Sequence, residues 1–228
     1  MPSIQPSMEE IQKLFEAELH LGHKRNRLHP KARKYVYRIE NGTSIIDLTQ
    51  TAVQLQTAKN FLQKAKEENK VVLVVATKKV ASGFVAELCK EKKIPYITQK
   101  WLPGLLTNFQ TIIKNVKKMN EMRIERDQNG WDNITKHERV KQTKYVAKLE
   151  KFYAGLADLT KKPDILFVVD IRKERNSIQE AKQTGIDVVA ITDTNTNPDT
   201  VTYPIVANDD SPKAIEYLVT DVLTAYTK

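Results

Sequence analysis

Apolar positions along the chain fall into short continuous runs and into longer series with helical spacing, and the two kinds alternate. The run at 71–76 predicts a strand covered on both faces, and further strands are predicted at 95–98, 165–169, 188–192 and 203–206. Apolar residues three and four positions apart predict helices at 49–66, 80–92 and 177–183, and a last helix from Ser211-Pro212 through Tyr226. This alternation predicts an α/β fold whose parallel sheet carries helices on both faces.

The N-terminal region departs from this alternation. A capping box, Ser7-Met8-Glu9-Glu10, predicts the start of a helix, and Gly22 suits the position just past its end. Strands predicted at 35–39 and 43–48 surround Asn41-Gly42, a dipeptide typical of a tight hairpin turn. The residues between the helix and the hairpin have no regular period, so we expect a loop there.

A long segment with helical spacing at 111–160 interrupts the α/β pattern. Apolar residues between Ile112 and Met122 predict one helix, and the capping box at 135–138 predicts the start of a return helix after a turn at 127–130. Each helix has only a narrow apolar stripe, so we predict an inserted antiparallel helical hairpin (coiled coil) with one packed seam. The predicted division is a body of residues 1–110 and 161–228 with the hairpin at 111–160.

The connection Gln99–Phe109 joins the body to the hairpin. Pro103 and Gly104 break regular structure there, and Gly104 can take a positive φ. Two interpretations remain open for this connection. It is a hinge whose aromatic rings belong to the core, or its residues Lys100, Trp101 and Asn108 also contact a partner at the base of the hairpin.

Charge is distributed unevenly along the chain. The formal net charge is +9, and such a balance favours nucleic acid or an anionic surface as a partner. Residues 24–38 contain seven Lys or Arg and no acid, and residues 111–162 contain thirteen against seven acids. Residues 185–228 reverse the sign, with two Lys against seven acids. One end of the molecule is therefore predicted to be cationic and another anionic.

The cationic stretches predict an RNA-binding surface, because clustered cations repel each other unless an anion such as phosphate neutralises them. His and Tyr rings among them can also stack on exposed bases. A purely solvated loop remains the alternative for residues 23–37. The candidate RNA-binding residues are His23, Lys24, Arg25, Arg27, His29, Lys31, Arg33, Lys34, Lys78, Lys79, Lys100, Trp101, Asn108, Lys114, Lys117 and Lys118.

The acidic C-terminal third is a poor neighbour for RNA, because its carboxylates would meet phosphates. On an RNA-binding protein, a surface of this sign is expected to face solvent or another protein. The candidate protein-docking residues are Asp209, Asp210 and Glu216, and a merely solvated face is the alternative.

The common cofactor and metal motifs do not occur in the sequence. The seven glycines form neither a dinucleotide-binding fingerprint nor a phosphate-binding P-loop. His20 and His23 lack further ligands at zinc-binding spacing, so we predict no metal site and no cofactor. The lone Cys89 and the shortness of every apolar run predict a cytoplasmic protein without membrane contact.

Two aspartates at predicted strand ends leave an enzymatic alternative open. Asp170 and Asp193 each end a strand, and the carboxyl ends of parallel strands form the usual ligand crevice of α/β sheets. Thr77-Lys78-Lys79 lies at a strand–helix junction, where anions can bind. These residues could serve a flavodoxin-like nucleotide- or metal-binding enzyme or switch. Turn formation and helix capping are the competing interpretation for the acidic residues.

Four blocks, taken in their order along the chain, resemble a known family. They are Leu19–Arg25 with Asn26–Lys31, Ile45–Leu48, Trp101–Asn108, and Ile191–Asn195 with Pro198-Asp199. Over essentially its whole length the chain resembles the family of the second protein of the small ribosomal subunit, in its bacterial type. Pro103 departs from the pattern, because that family more often has glycine there.

The resemblance implies a flavodoxin-like, three-layer α/β/α fold with a five-stranded parallel sheet and an inserted helical hairpin. It also implies a structural, non-enzymatic protein that binds RNA at the junction of the subunit's head and body. The implied partners are small-subunit ribosomal RNA, other small-subunit proteins and, in many bacteria, the large multi-domain first protein of that subunit. The implied location is the cytoplasmic ribosome.

Overall fold

The computed structural model describes residues 6–128, 130–131 and 134–227. The strands in this part of the chain are Leu21–Lys24 (β1), Val36–Glu40 (β2), Thr43–Ile46 (β3), Val72–Val75 (β4), Tyr96–Ile97 (β5), Ile165–Val169 (β6), Asp187–Thr192 (β7) and Tyr203–Val206 (β8). The α-helices are Met8–Glu16 (α1), Leu48–Glu67 (α2), Lys79–Glu91 (α3), Phe109–Asp127 (α4), Lys136–Tyr153 (α5), Arg175–Thr184 (α6) and Pro212–Thr227 (α7).

Five of the strands form a parallel sheet in the order β5-β4-β6-β7-β8. Counted by their order along the chain, they have the 2-1-3-4-5 arrangement of flavodoxin-like folds. The predicted fold class is therefore confirmed. The order reverses between β4 and β6, and open α/β sheets bind ligands outside the carboxyl ends of the strands at such a point. The carboxyl edge of the parallel sheet is therefore the expected position of a binding site.

Alternate residues of the central strands point into two separate hydrophobic cores. Val72 and Val74 of β4 pack with α2, α3 and α7, whereas Leu73 and Val75 pack with α6 and with Trp101 of the connection to the hairpin. All residues of β6 are buried, and they follow the same alternation. Coverage on both faces explains why these strands appear in the sequence as continuous apolar runs.

The first helix is shorter than the sequence predicts. The predicted capping box is present, but α1 ends at Glu16 rather than near Gly22. Glu18 has a positive φ of 63°, which turns the chain and places Leu19 in the core. Gly22 instead lies in β1, where a Cβ atom would come within 2.8 Å of the Thr194 side chain. Glycine is needed there for the close approach of two chain segments and not to end a helix.

The β1 strand completes a second sheet that the apolar pattern does not predict, an antiparallel one with the order β1-β3-β2. The predicted hairpin of β2 and β3 is confirmed, and Asn41 and Gly42 at its turn have φ values of 48° and 77°. The expected loop between α1 and the hairpin is wrong in part. It contains β1 and two short 3-10 helices, Arg25–Arg27 and Pro30–Tyr35.

Helices α4 and α5 pack against each other in the region where the hairpin is predicted. Glu150 of α5 forms ion pairs with Arg123 and Arg126 of α4, at 3.5 and 3.3 Å. The predicted capping box is present at the start of α5. Asn129 of the predicted turn lies outside the described residues. The two helices therefore pack against each other and are linked by ion pairs at Glu150.

The base of the hairpin belongs to the body. Ile113 and Val116 of α4 lie in the same hydrophobic core as Leu73 and Val75 of β4. After α5, Leu156 and Leu159 join that core from a short 3-10 turn and the residues that follow it. The sheet therefore holds both ends of the inserted segment.

Candidate functional site

Polar residues from four strand ends meet at the carboxyl edge of the parallel sheet. Lys78 follows β4, Asp170 follows β6, Asp193 follows β7, and Asp209 follows β8 by a few residues. Parallel strands bring their carboxyl ends to one edge, so residues that are far apart in sequence become neighbours. The edge includes the point where the strand order reverses, which in this fold class is the usual ligand crevice.

Lys78 is the centre of this cluster. Its Nζ lies 2.7 Å from Asp209 Oδ1, 2.6 Å from Asp210 Oδ1 and 3.5 Å from Asp170 Oδ2. Burial by itself lowers the pKa of Lys78, but the surrounding carboxylates outweigh it and raise that pKa above its ordinary value. Burial, together with the charges of Asp170 and Asp193, raises the pKa of Asp209 to about 7. The lysine thus supplies the positive charge at a crevice lined by acids.

His23 connects the N-terminal segment to the same edge. Its Nδ1 lies 2.8 Å from Asp193 Oδ2, and its Nε2 lies 2.9 Å from the amide nitrogen of Asn195. Its backbone N–H also donates a hydrogen bond to Thr194 Oγ1. The bond to Asp193 raises the pKa of His23 above its ordinary value. His23 therefore links the N-terminal segment to the carboxyl edge of the sheet in this conformation. Its ring does not face outward as the RNA-binding prediction requires.

The cluster gives stability a definite dependence on pH. The folded pKa values of His23 and Asp209 are both raised, so these two groups bind protons more tightly in the folded chain than in the unfolded chain. We therefore expect the contributions of these two groups to the free energy of unfolding to fall as the pH rises, for Asp209 between about 4 and 7 and for His23 above about 6.5. Urea unfolding at a series of pH values checks this. The variant His23→Gln should lose the decline above pH about 6.5, and an unchanged profile would contradict the assignment.

The junction Thr77-Lys78-Lys79 does not present an open anion site. The Thr77 N–H donates a hydrogen bond to Glu174 Oε1 at 3.0 Å, and the Thr77 hydroxyl donates to the same oxygen. Lys173 Nζ donates to the Thr77 carbonyl oxygen at 2.7 Å. The buried carboxylate of Glu174, whose pKa is raised by burial, thus takes the donors that a phosphate would need. Of the two lysines, only Lys79 is exposed.

Metal binding has a geometric candidate in the same cluster. One ligand atom each from His23, Asp193 and Asp210 lies within 4.8 Å of the others. Each of these groups already has a partner, because His23 bonds to Asp193 while Asp210 pairs with Lys78. The arrangement is satisfied by the chain's own charges, as expected for a structural cluster.

The segment that follows His23 is the exposed cationic surface. We define the basic segment as Lys24–Lys34. Its Lys and Arg side chains are exposed, and Lys34 pairs with Asp199 at 3.1 Å. None of the others forms an ion pair with any residue that the structure describes: Lys24, Arg25, Arg27, Lys31 and Arg33. This part of the RNA-binding prediction has the geometry it needs, because dense cations are open to phosphates.

The connection before the hairpin is held by one carboxylate. Trp101 is only 5% exposed, and its Nε1–H donates to Glu180 Oε1 at 2.9 Å. The N–H groups of Gly104 and Leu106 also donate to Glu180, at 2.9 and 3.1 Å. Gly104 has a positive φ of 89°, as the sequence allows. Trp101 therefore belongs to the core, whereas the other two candidates of this connection, Lys100 and Asn108, are exposed.

The hairpin lysines and the docking carboxylates differ in accessibility. Lys114, Lys117 and Lys118 are exposed on α4, and the Lys118 Nζ lies 5.1 Å from the ring centroid of Tyr145. Glu216 is exposed on α7. Asp209 is 1% exposed beneath Lys78, so this candidate cannot offer a free carboxylate to a partner. Asp210 is exposed, although it too pairs with Lys78.

A family model described as Ribosomal protein S2 matches residues 14–228. The chain belongs to the ribosomal protein S2 family. The match includes the basic segment, the hairpin and the carboxyl edge of the sheet. The family resemblance of the four sequence blocks is thereby confirmed.

Individual relatives of the chain are named small ribosomal subunit protein uS2. The chain is 41% identical over 215 residues to the small ribosomal subunit protein uS2 of Coprothermobacter proteolyticus, with 94% of this chain and 80% of that protein covered. It is 42% identical to the uS2 protein of Cytophaga hutchinsonii, with 92% and 82% covered. The uS2 protein of Flavobacterium johnsoniae is 40% identical, with 95% and 85% covered. The similarity therefore extends over most of each protein.

Membership of the ribosomal protein S2 family also decides the enzymatic alternative. Ribosomal S2 proteins are structural and non-enzymatic, so a nucleotide- or metal-dependent enzyme built on Asp170 and Asp193 is not the function of this chain. The contacts of Asp170 agree with a structural role, because its carboxylate accepts hydrogen bonds from the backbone N–H groups of Arg172 and Lys173 and lies near Lys78.

No helix among the described residues is long and apolar enough to cross a bilayer.

Two structural roles in this S2-family chain have no local signal in the sequence. His23 and Asp193 are 170 residues apart, and Trp101 and Glu180 are 79 residues apart. Neither pair shares a motif or a period, so only the folded sheet brings the partners together. The sole indication is the sequence resemblance, whose blocks contain His23, Trp101 and Asp193.

Proposed function

We propose that this chain is a structural component of the small ribosomal subunit and binds small-subunit ribosomal RNA in the cytoplasm. The observation that carries the proposal is the basic segment, where five exposed cations without ion-pair partners among the described residues lie close together in sequence, most of them on two short 3-10 helices. Their mutual repulsion is relieved when phosphates bind. The names of the relatives, which are small ribosomal subunit proteins, support the same role.

The hairpin at 111–160 is proposed as a second RNA contact, separate in function from the body at 1–110 and 161–228. Its exposed lysines, including Lys114, Lys117 and Lys118, suit contact with the phosphate backbone more than reading of base edges. Lys79, Lys100 and Asn108 are exposed on the body and are proposed as further contacts. His29 belongs with the basic segment, whereas His23, Lys78 and Trp101 are proposed to act by holding the fold.

A protein-facing side is proposed away from the basic segment, with the chain at the junction of the subunit's head and body. Glu216 lines a surface groove with Lys13, Phe84 and Tyr217, where α1, α3 and α7 meet. Mixed acidic and aromatic side chains suit a protein partner more than RNA. The proposed partners are other small-subunit proteins, among them the large multi-domain first protein.

The salt dependence of subunit binding tests the RNA contact. The variant Arg25→Gln, Arg27→Gln, Arg33→Gln removes three guanidinium groups from the basic segment. We expect this variant to dissociate from small subunits at lower salt than the unmodified chain. The slope of log affinity against log salt should fall by about one unit for each lost phosphate contact. Sedimentation of tagged proteins with small subunits at increasing salt measures the slope.

A matched control removes the same charge from elsewhere on the body. Lys64, Lys90 and Lys93 are exposed and form no ion pair with described residues, so their replacement by Gln should leave the slope almost unchanged. The corresponding hairpin variant replaces Lys114, Lys117 and Lys118. If the basic-segment variant keeps the slope of the control, the basic segment does not bind RNA phosphates.

A further inference from the structure

We propose that the cationic groove between α6 and residues 196–200 binds an unpaired nucleotide of RNA. The inference deepens the ribosomal role proposed above and rests on it. It assigns a binding site to Arg172, Arg175 and Lys182, which the charge pattern of the sequence does not single out because each lies outside the densest basic stretch.

The groove is a concave surface lined by cations. It has a volume of about 830 Å³, and Arg172, Arg175 and Lys182 line it without any Asp or Glu among its lining residues. All three cations are exposed, and none forms an ion pair with a described residue. Three uncompensated cations around one concavity create a field that attracts a polyanion.

His29 extends the basic segment into the groove. Its backbone N–H donates to the Thr194 carbonyl oxygen at 2.8 Å, which fixes the residue beside β7. Its Nδ1 accepts a hydrogen bond from the Lys31 N–H at 3.1 Å, so the neutral ring carries its proton on Nε2. The ring therefore offers one defined donor to a ligand in the groove. RNA bound along the basic segment would reach this donor next.

The shape and the apolar lining favour a single nucleotide over a duplex. Ile171 and Ile178 contribute apolar carbon to the lining, and the exposed side chains of Arg172 and Arg175 line the same groove. A base that is unstacked from RNA can rest on apolar carbon, on a guanidinium plane or on His29. The phosphates of a duplex lie on the convex outer surface of the helix, so they would contact only the mouth of the groove. The volume is also typical of sites that enclose a small organic group.

The test compares unpaired and paired RNA on the full-length protein. The groove variant replaces Arg172, Arg175 and Lys182 with Gln, and the control replaces Lys64, Lys90 and Lys93 with Gln. Fluorescence anisotropy measures binding of a short unpaired RNA and of a duplex of the same length at several salt concentrations. We expect the groove variant to bind unpaired RNA about tenfold more weakly than the control does. The salt slope should fall by about two, since three contacts contribute about 0.7 each for single strands.

A second variant alters the groove without removing a cation. Gln179 is an exposed lining residue, so Gln179→Glu adds a carboxylate where the nucleotide should lie, and Gln179→Ala is its neutral match. We expect the Glu variant to weaken binding of unpaired RNA and the Ala variant to leave it unchanged. Thermal unfolding of both variants checks that the fold is intact.

Several outcomes would overturn the proposal. Equal loss in the groove and control variants would mean that only total charge matters. A similar loss for duplex and unpaired RNA would assign the groove to backbone contact. Competition by a free nucleoside monophosphate at the affinity of the oligonucleotide would point to a small-molecule site. The sedimentation experiment with the basic-segment variant is independent of all three, so a failure of the ribosomal role would be recognised separately.

Discussion

Replacing Lys78 with glutamine is expected to lower the free energy of unfolding by about 3–5 kcal/mol, the usual effect of removing one partner from a buried ion pair. The side chain of Lys78 is 15% exposed, and its Nζ lies within 3.5 Å of carboxylates from Asp170, Asp209 and Asp210. Without the ammonium group, the buried carboxyl group of Asp209 loses its cationic partner and stays close to Asp170. Urea unfolding, followed by circular dichroism, measures the change.

The neighbouring residue provides the control. Lys79 is exposed and begins α3, so Lys79→Gln should change the free energy of unfolding by less than about 0.5 kcal/mol. The double variant Lys78→Gln, Asp209→Asn removes both buried charges and should recover part of the lost stability. If Lys78→Gln were as stable as Lys79→Gln but bound small subunits more weakly, Lys78 would be an RNA contact, as the sequence alone predicts.

Replacing Glu180 with alanine is expected to have a comparable effect, a loss of about 3–5 kcal/mol. Three donors then lose their acceptor: the Trp101 Nε1–H and the N–H groups of Gly104 and Leu106. A hydrogen bond to a charged group contributes about 1.5–3 kcal/mol, and bonds that share one acceptor are not additive. The loss should appear as a lower urea midpoint and as a changed fluorescence of Trp101.

The adjacent residue and a double-mutant cycle refine this prediction. Gln179→Ala removes an exposed side chain from the same helix and should have little effect on stability. Trp101→Phe keeps an aromatic ring in the core but removes one donor to Glu180, so the two substitutions together should cost less than the sum of their separate effects. Strict additivity would show that Glu180 does not hold the connection through Trp101.

The layered body could be predicted from the sequence because its determinants are local. Val72–Val75 and Ile165–Val169 are continuous apolar runs, and the structure confirms both as central strands with both faces covered. The capping boxes at the starts of α1 and α5 are likewise local, and both are present. Such signals depend on neighbours a few residues away, so they can be recognised without knowledge of the fold.

The candidate site could be predicted only in part. Exposure of the basic segment follows from its composition, because so many charges cannot be buried together. The roles of His23, Lys78 and Asp209 depend on contacts across the sheet edge, which the local pattern does not contain. Judged by charge alone, His23 and Lys78 are candidates for RNA binding, and Asp209 is a candidate for contact with a protein partner. Burial assigns all three instead to one network that holds the strand ends together.

The contact between Trp101 and Glu180 has a consequence for the order in which the chain is made. The two residues are 79 positions apart, so at about 5–20 residues per second the ribosome takes roughly 4–16 s to synthesise the interval between them. During that time β4 also lacks β6, its central neighbour. The nascent chain therefore carries an unpaired strand edge and an uncovered tryptophan until its last third emerges. Chaperone protection during synthesis would matter most in this interval.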